Sequence, residues 1–478
     1  MSGDILDLDA TGQLAELAAG RVSATELLTL AMERRDRTHA RLNAVVTTDP
    51  EGGMAQARAI DAARARGEAP GPLAGLPMTI KDTLDVAGMP ASSGLAGFRD
   101  RTCEDAVSVA RARAAGAVLW GKTNVPVMAA DWQSYNSLYG TSNNPWDVTR
   151  TTGGSSGGAA CALASGVTAL EIGSDIGGSL RVPASFCGVY SHKPSWGAVS
   201  QIGHVPPAPG ARAQRDLNVV GPLARSARDL KLLFSLIADS PAPAQAAPAL
   251  KGLRVGLWLD EPLFPLDPEV KATIEAYAAG LAAQGVAVEP VRRPVDVESL
   301  VVTYRTLLGS VIFTDLPPEE RRQMVAMRPM ALEAVAGGAA ADSPLALVLG
   351  YTATHAEWLE ADEVRARLRE QAVAALSPFD VIMAPVAATP AFPHDHAPFN
   401  SRVIGLSDGT TIPYTSMLNW IGLATACGLP ATCVPAGLTA QGLPVGVQLI
   451  GPPGGDARTL AVAEAFEAVR GFVRPPGV

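Results

Sequence analysis

Two loops rich in glycine and serine are the part of the chain best suited to acyl transfer. The first covers residues 151–158, with the sequence TTGGSSGG, and the second covers residues 175–181, with the sequence DIGGSLR. Glycine lets the backbone adopt positive φ and approach a ligand closely. Around Gly177 and Gly178, backbone N–H groups and the Ser179 hydroxyl would therefore converge. Acyl transfer requires such a nucleophile beside backbone donors, although solvated surface loops share this composition.

A lysine at the end of an apolar run is a candidate base for such a serine. Residues 73–82 have the sequence LAGLPMTIKD, which predicts a short buried strand ending at Lys81. Burial disfavours the charged ammonium, so a desolvated lysine loses its proton more easily. The alternative is a lysine whose ammonium reaches from the strand end into water.

Two further motifs indicate other chemistry, and both lack the structural context they need. Residues 116–123, GAVLWGKT, match the P-loop pattern, but their apolar middle predicts a buried strand over 117–121. Residues 153–157, GGSSG, match the nucleophile elbow of α/β-hydrolases with Ser155 as nucleophile, yet a polar, turn-like segment precedes them where the elbow needs a strand. The histidines that could serve such an elbow as base are His192, His204, His355, His394 and His396.

Composition and charge exclude several classes of function. The chain has 47 acidic and 38 basic residues, a net charge of −9 and no basic block, so neither nucleic acid nor an anionic membrane is an expected partner. Five widely spaced cysteines without a C-x-x-C pair indicate reduced thiols in a cytoplasmic protein. The N-terminus lacks the pattern of a signal peptide.

Neither a membrane span nor a metal or cofactor site is expected. Residues 409–455 carry no charge, but their prolines and glycines favour a buried core segment over a membrane span. His394 and His396 provide only two imidazoles between prolines, which indicates a polar loop rather than a metal site.

The predicted elements are those of an α/β protein. A capping box over residues 23–26, SATE, opens a helix to about residue 39. Strands over 254–259 and 286–291 flank a helix over 270–283, a pattern that predicts a parallel pair.

Taken together, Lys81, the GGSSGG loop and the DIGGSLR loop resemble the amidase signature family. The resemblance covers nearly the whole chain, is densest over residues 75–193, and recurs at GPLAR, 221–225, and GLPVGVQ, 442–448. It implies a single α/β domain over residues 1–478, in which a mixed central sheet is sandwiched between helices. The signature core would span about 73–225, and the substrate pocket would be lined by the variable region about 250–400 together with the segment 131–139.

The resemblance assigns a role to each residue that matches the family motifs. Ser179 would be the nucleophile, Ser155 a bridging serine held by a cis peptide bond, and Lys81 the general base. The N–H groups of the oxyanion hole would come from Ile176, Gly177, Gly178 and Ser179, with Asp175 and Arg181 supporting the loop.

The resemblance implies a free-standing hydrolase that cleaves the C–N bond of a small or moderately apolar linear amide. Anilides, carbamates (urethanes) and esters are further expected substrates, and we expect a homodimer. The alternative is the glutaminase subunit of a tRNA-dependent amidotransferase, which shares the triad but works with partner chains. Residues 130–140, ADWQSYNSLYG, look more like free-standing amidases. A third alternative, an inactive binding module, is disfavoured because all three triad positions are filled.

Overall fold

One mixed sheet of eleven strands runs through the protein, with helices on both faces, as the resemblance predicts. The computed structural model describes residues 4–68, 71–240, 243, 245–339 and 343–478. In this part of the chain the strands are β1 (Val45–Thr48), β2 (Pro77–Lys81), β3 (Val118–Thr123), β4 (Tyr135–Asn136), β5 (Gly140–Thr141), β6 (Leu170–Asp175), β7 (Tyr190–Lys193), β8 (Val219–Ala224), β9 (Arg254–Leu257), β10 (Ala287–Pro290), β11 (Val381–Pro385), β12 (Val403–Gly405), β13 (Thr411–Pro413), β14 (Ala431–Leu438) and β15 (Pro444–Ile450).

The helices pack around this sheet. They are α1 (Ala10–Ala18), α2 (Ala24–Leu42), α3 (Pro50–Ala65), α4 (Val107–Ala114), α5 (Gly157–Ala164), α6 (Arg181–Cys187), α7 (Ala227–Ile237), α8 (Pro268–Ala283), α9 (Val297–Phe313), α10 (Pro318–Ala336), α11 (Pro344–Tyr351), α12 (His355–Leu376), α13 (Gly422–Ala426) and α14 (Asp456–Phe466). Short 3₁₀ helices cover Ile5–Asp7, Ala96–Phe98, Val127–Ala129, Phe399–Ser401 and Tyr414–Leu418.

The order of the large sheet is β1-β3-β2-β6-β8-β7-β14-β15-β11-β9-β10. Strand β2 lies between β3 and β6 and runs parallel to both, whereas β8 is antiparallel to β6. The predicted parallel pair of β9 and β10 is confirmed. Because β2 and β6 are parallel neighbours, the residues at their carboxyl ends meet at one edge of the sheet.

Several predicted elements are confirmed, with shifted ends. Ser23 and Glu26 form the predicted capping box of α2. This helix continues to Leu42, three residues past the predicted end, and Asn43 then adopts the left-handed conformation with φ of 48°. The P-loop look-alike contains strand β3, every residue of which is buried. Its apolar middle therefore belongs to the sheet, as predicted, and does not form a phosphate loop.

Apolar side chains fill both faces of the sheet. Ile80 and Ile172 belong to one buried cluster, and Leu223 and Ile450 belong to a second cluster. The uncharged stretch 409–455 forms β14, β15 and α13 inside this core, which confirms the prediction of a buried segment. In the described ranges, no helix is both long and apolar enough to cross a bilayer.

The P-loop look-alike yields a prediction about stability. Lys122 and Asp82 form an ion pair of 3.1 Å with both side chains buried. We expect Lys122→Met to lower the free energy of unfolding by about 3–5 kcal/mol, because the Asp82 carboxylate stays buried without its cation. Urea denaturation followed by circular dichroism measures the change.

The matched control is Arg322→Met on the surface of α10, which removes the exposed pair with Glu319. The free energy of unfolding of Arg322→Met should fall by less than about 1 kcal/mol. Equal effects of the two variants would contradict a structural role for the buried pair.

Candidate active site

The carboxyl ends of β2 and β6 bring two of the predicted residues together. Lys81 is the last residue of β2, and the register pairs Ile80 with Ile172 on β6. Ser174 and Asp175, which end β6, therefore lie beside Lys81 at the same edge. Lys81 is completely buried, so its ammonium does not reach water as the alternative interpretation required.

Ser155 comes to the same edge from the loop before α5. The peptide bond between Gly154 and Ser155 is cis, and Ser155 Oγ lies 2.7 Å from Lys81 Nζ. A Cβ atom on Gly154 would stand 2.5 Å from the Asp131 carbonyl oxygen, so only glycine fits there. A serine and a lysine that lie far apart in the chain are thus in direct hydrogen-bond contact.

Burial makes Lys81 a suitable acceptor of protons near neutral pH. Desolvation lowers the pKa of Lys81 from 10.5 to about 7, against the opposing charges of Asp175 and Glu171. Burial raises the pKa of Glu171 to about 8, and the Asp175 charge acts on Lys81 more strongly than the Glu171 charge. Asp175 is therefore the main anion that faces the Lys81 amine.

Two side chains that the sequence analysis did not assign complete the surroundings of Lys81. Lys81 Nζ lies 2.9 Å from Ser174 Oγ, and Ser174 Oγ lies 2.8 Å from His204 Nε2. His204 is buried in the connection between β7 and β8. The sequence suggests it only as a base for an elbow, and no sequence signal pairs it with residue 174.

Ser179 stands at the opening of this cluster toward a cavity. Its side chain lines the cavity and is 6% exposed. Among the described residues, its hydroxyl makes no hydrogen bond, and none joins it to Ser155. The backbone nevertheless links the two loops, because the Ser156 N–H donates to the Ser179 carbonyl oxygen at 3.2 Å.

The loop before Ser179 is held by its carbonyl groups. Tyr304 Oη donates to the Ile176 carbonyl oxygen at 2.8 Å, and Trp132 Nε1 donates to the Gly177 carbonyl oxygen at 2.7 Å. In the described part of the chain, the N–H groups of Ile176, Gly177 and Ser179 have no acceptor. They are free to serve a ligand oxygen. Neither Tyr304 nor Trp132 carried a sequence signal for this contact.

Gly178 differs from the other three predicted donors. Its N–H donates to Asp175 Oδ1 at 2.9 Å, so it is already committed to holding the loop. Its φ is +90°, and a Cβ atom there would stand 2.9 Å from Val182 Cγ2. Gly178 therefore stabilises the turn, and the N–H groups of Ile176, Gly177 and Ser179 remain available to bind an oxyanion.

Asp175 and Arg181 form a buried bidentate pair beneath the loop. Arg181 Nε and Nη2 lie 3.1 and 3.0 Å from the two Asp175 carboxylate oxygens, and both side chains are fully buried. Burial raises the pKa of Asp175, but the charge and hydrogen bonds of Arg181, the Lys193 charge and the Leu180 N–H together outweigh burial, so the pKa lies below its usual value. Arg181 Nη1 also donates to Gln448 Oε1 at 2.8 Å, which ties the loop to β15.

The cavity in front of Ser179 has a volume of about 280 Å³ and a mostly apolar lining. Asp131 lies in its wall, but Arg402 Nη1 and Tyr414 Oη contact the two carboxylate oxygens at 2.6 Å each, so the charge is compensated. Thr415 and Leu418 of the lining lie outside both predicted regions, 131–139 and 250–400. The other lining residues are Ala129, Ala130, Trp132, Ile176, Gly177, Arg305, Leu308, Gly309, Ile312, Leu347, Tyr351, Phe399 and Asn400.

The remaining candidate residues do not join this site. The His394 and His396 rings lie 5.9 Å apart, and His396 stacks on Tyr135 at 3.9 Å. His192 pairs instead with Asp456 at 3.0 Å. Within the described ranges, no group of three or more histidine, cysteine or acidic side chains could hold a metal ion.

Comparisons with known proteins match nearly the whole chain. The family model described as Amidase matches residues 26–460. A similar curated relative is the A subunit of the glutamyl-tRNA(Gln) amidotransferase of Synechococcus sp. (strain CC9605), 36% identical over 97% of this chain and 96% of the relative. Among solved structures, one described as an amidase has a TM-score of 0.78 and 31% identity over 96% of this chain and 99% of its own. The peptide amidase of Stenotrophomonas maltophilia has a TM-score of 0.76 and 26% identity over 98% of both chains.

The turn at Gly178 can be tested by adding a methyl group. We expect Gly178→Ala to lower the free energy of unfolding by about 2–4 kcal/mol, because left-handed φ and the contact with Val182 are both unfavourable. Gly177→Ala is the matched control, since its nearest neighbour would be Leu418 Cδ2 at 3.7 Å. Chemical denaturation of both variants provides the measurement, and a larger loss at Gly177 would contradict the assigned turn.

Proposed function

The chain belongs to the amidase signature family, and from that membership we propose that it hydrolyses a carboxylic amide through an acyl-enzyme on Ser179. The observation that carries the proposal is the buried hydrogen bond of 2.7 Å between Lys81 and Ser155. A serine hydroxyl is a weak nucleophile at neutral pH and needs a base within reach. Lys81 can be that base because burial brings its pKa to about 7.

The first half of the reaction forms the acyl-enzyme. Ser179 Oγ attacks the amide carbonyl carbon, and its proton moves to Ser155 as Ser155 gives its own proton to Lys81. This step requires Ser179 and Ser155 to approach when substrate binds, since catalytic hydrogen bonds are often long in the free enzyme. The N–H groups of Ile176, Gly177 and Ser179 stabilise the oxyanion.

The second half releases the amine and then the acid. Lys81, now protonated, returns its proton through Ser155 to the leaving nitrogen as the C–N bond breaks. Water then attacks the acyl carbon along the same proton route and frees Ser179. Asp175 and Arg181 do not take part in proton transfer in this scheme. They hold the loop that carries the oxyanion donors.

A small or moderately apolar amide suits the cavity best. The wall contains Trp132, Phe399 and Leu308, and the charge of Asp131 is compensated by Arg402. A substrate group without charge loses little by entering such a cavity, whereas an uncompensated charge would lose its hydration. Anilides, carbamates and esters of similar shape are further candidate substrates.

The second candidate function is that of the glutamine-hydrolysing subunit of a tRNA-dependent amidotransferase. The curated relatives favour it, since the Synechococcus protein, which matches almost end to end, is named as part of such an enzyme. This function would share the acyl-enzyme on Ser179 but would require partner chains and glutamine. The apolar cavity favours the first candidate. Homodimer assembly and a cytoplasmic location stay predictions.

A hydrolysis screen decides between the two candidates. The purified chain is offered aliphatic amides, anilides, carbamates and esters of graded acyl length, and glutamine separately, with Ser179→Ala as the blank. Turnover of apolar amides without ammonia release from glutamine supports the free-standing hydrolase. Ammonia from glutamine without turnover of the other amides supports the amidotransferase function. If the wild type and Ser179→Ala are equally inactive on every compound, the free-standing hydrolase is overturned, because only the amidotransferase function depends on partner chains.

The pH dependence of amide hydrolysis should report the ionisation of Lys81. Below pH 7 the ammonium form dominates and accepts no proton, so kcat/KM should fall as the pH falls through about 7. Lys81→Ala should remove most amide turnover together with this acid limb. Activated esters should lose less, because their leaving groups need little protonation. Full amide turnover by Lys81→Ala at neutral pH would refute the assignment.

The two adjacent serines should respond differently to substitution. We expect Ser155→Ala to lower kcat by about 10²–10⁴-fold, because it removes the proton relay. Ser156→Ala is the matched control, since the one hydrogen bond of Ser156 Oγ to a described residue goes to the Ser174 carbonyl oxygen at 3.4 Å. Ser156→Ala should lower kcat by no more than a few-fold. Steady-state kinetics on one amide measures both, and the reverse order would show that the wrong serine was chosen.

A further inference from the structure

His204 is linked to Lys81 through the hydroxyl of Ser174. Its ring contacts Ser174 Oγ at 2.8 Å, and the same oxygen lies 2.9 Å from Lys81 Nζ. The backbone around His204 is hydrogen-bonded to the segment that follows Lys81. The Asp85 N–H donates to the Gly203 carbonyl oxygen at 2.8 Å, and the Val205 N–H donates to the Thr83 carbonyl oxygen at 2.7 Å. The imidazole is therefore held at a defined distance from the lysine.

The second ring contact settles which nitrogen of His204 carries the proton. His204 Nδ1 lies 2.7 Å from the Pro206 carbonyl oxygen. A carbonyl oxygen only accepts, so Nδ1 must be the protonated nitrogen. In a neutral imidazole Nε2 is then an acceptor, and the donor that faces it is the Ser174 hydroxyl.

This tautomer determines whether the Ser174 hydroxyl donates a hydrogen bond to Lys81 or accepts one from it. A serine hydroxyl has one proton, and here that proton points to His204 Nε2. The Ser174 oxygen can then only accept a hydrogen bond from Lys81. A neutral lysine amine has two protons and one lone pair. Its protons go to Ser174 Oγ and to the Ser174 carbonyl oxygen, 3.5 Å away.

The lone pair of Lys81 is thereby left for Ser155 Oγ at 2.7 Å. Without an acceptor at position 204, the Ser174 hydroxyl could turn and donate to that lone pair. Ser174 would then compete with Ser155 for the base. We infer that His204 is a positioning residue that keeps the Lys81 lone pair directed at Ser155, an inference that rests on the proposed role of Lys81 as the base.

The arrangement should hold across the working pH range. Burial lowers the pKa of His204 to about 3, with the Lys81 charge acting in the same direction, so the ring stays neutral. The other charged or titratable groups that face this pair are Asp175, Glu171 and Arg215. Lys81 and Glu171 both titrate near neutral pH, with pKa values of about 7 and about 8, and the Glu171 carboxyl contacts Thr79 rather than the ring.

The test compares His204→Leu with His204→Gln, whose amide oxygen can still accept from Ser174. The readout is the rate of Ser179 phosphonylation by a fluorophosphonate as a function of pH, together with kcat and KM on any amide turned over. We expect His204→Leu to lower the labelling rate and kcat by about 10–100-fold with little change in KM. His204→Gln should recover most of this loss.

Ser174→Ala supplies the decisive background, because it removes the competing hydroxyl. The double variant Ser174→Ala/His204→Leu should label as fast as Ser174→Ala alone, which a double-mutant cycle reveals as strong coupling. If His204→Leu lowers the labelling rate by the same factor in the wild type and in Ser174→Ala, the inference is overturned. A general loss of packing would instead admit water, raise the pKa of Lys81 and move the acid limb to higher pH, and that shift would also overturn it.

Nitrogen NMR of the histidine rings separates this inference from the proposed function. We expect Nδ1 of His204 to be protonated and Nε2 to be unprotonated at every pH at which the wild type is folded. The opposite tautomer would overturn the inference whatever the enzyme's activity. Failure of the wild type to label at Ser179, with the expected tautomer present, would instead count against the proposed nucleophile.

Discussion

The burial of Lys81 is the constraint on which the rest of the site depends. An ammonium in water holds its proton far above neutral pH, and only removal from water brings its pKa to about 7. The sheet provides that burial, because Lys81 ends a strand that lies between two parallel neighbours. A buried amine must still have hydrogen-bond partners. Ser155, Ser174 and the Ser174 backbone carbonyl supply them, and all three come from the same edge of the sheet.

A second buried group, the pair of Asp175 and Arg181, organises the other half of the site. It binds two N–H groups of the loop, those of Gly178 and Leu180, and so determines which donors remain for a ligand. Tyr304 and Trp132 hold the loop from its carbonyl side. A carbonyl that accepts a hydrogen bond polarises its peptide unit, which makes the attached N–H a stronger donor. The loop is thus held from its carbonyl side before any substrate arrives, and the approach of Ser179 to Ser155 is the rearrangement that substrate binding must add.

The proposed chemistry that the buried Lys81 and the Asp175–Arg181 pair support is common to both candidate functions. The lining of the cavity, in contrast, determines which substrate binds. The curated relatives favour an amidotransferase function, and the apolar wall around Trp132 and Leu308 favours an apolar amide. Both are compatible with one catalytic apparatus, because the proposed acyl-enzyme step would be the same for glutamine and for an apolar amide. Residues far apart in the chain form the wall, and they can change without disturbing the strands that carry Lys81 and Ser174.

The family, the α/β class and the choice of Lys81, Ser155 and Ser179 as candidates follow from short runs of sequence, because residue type and spacing are local properties. The same local information excludes the P-loop, since four apolar residues favour a strand. The folded chain alone reveals that His204 is linked to the lysine through Ser174, that Tyr304 anchors the loop, and that the Gly178 N–H is already used by Asp175. The contacts of His204 and Tyr304 depend on strand register and on helix packing between distant parts of the chain. The pattern of apolar and polar residues predicts helices and strands, but it does not predict which distant side chains come into contact.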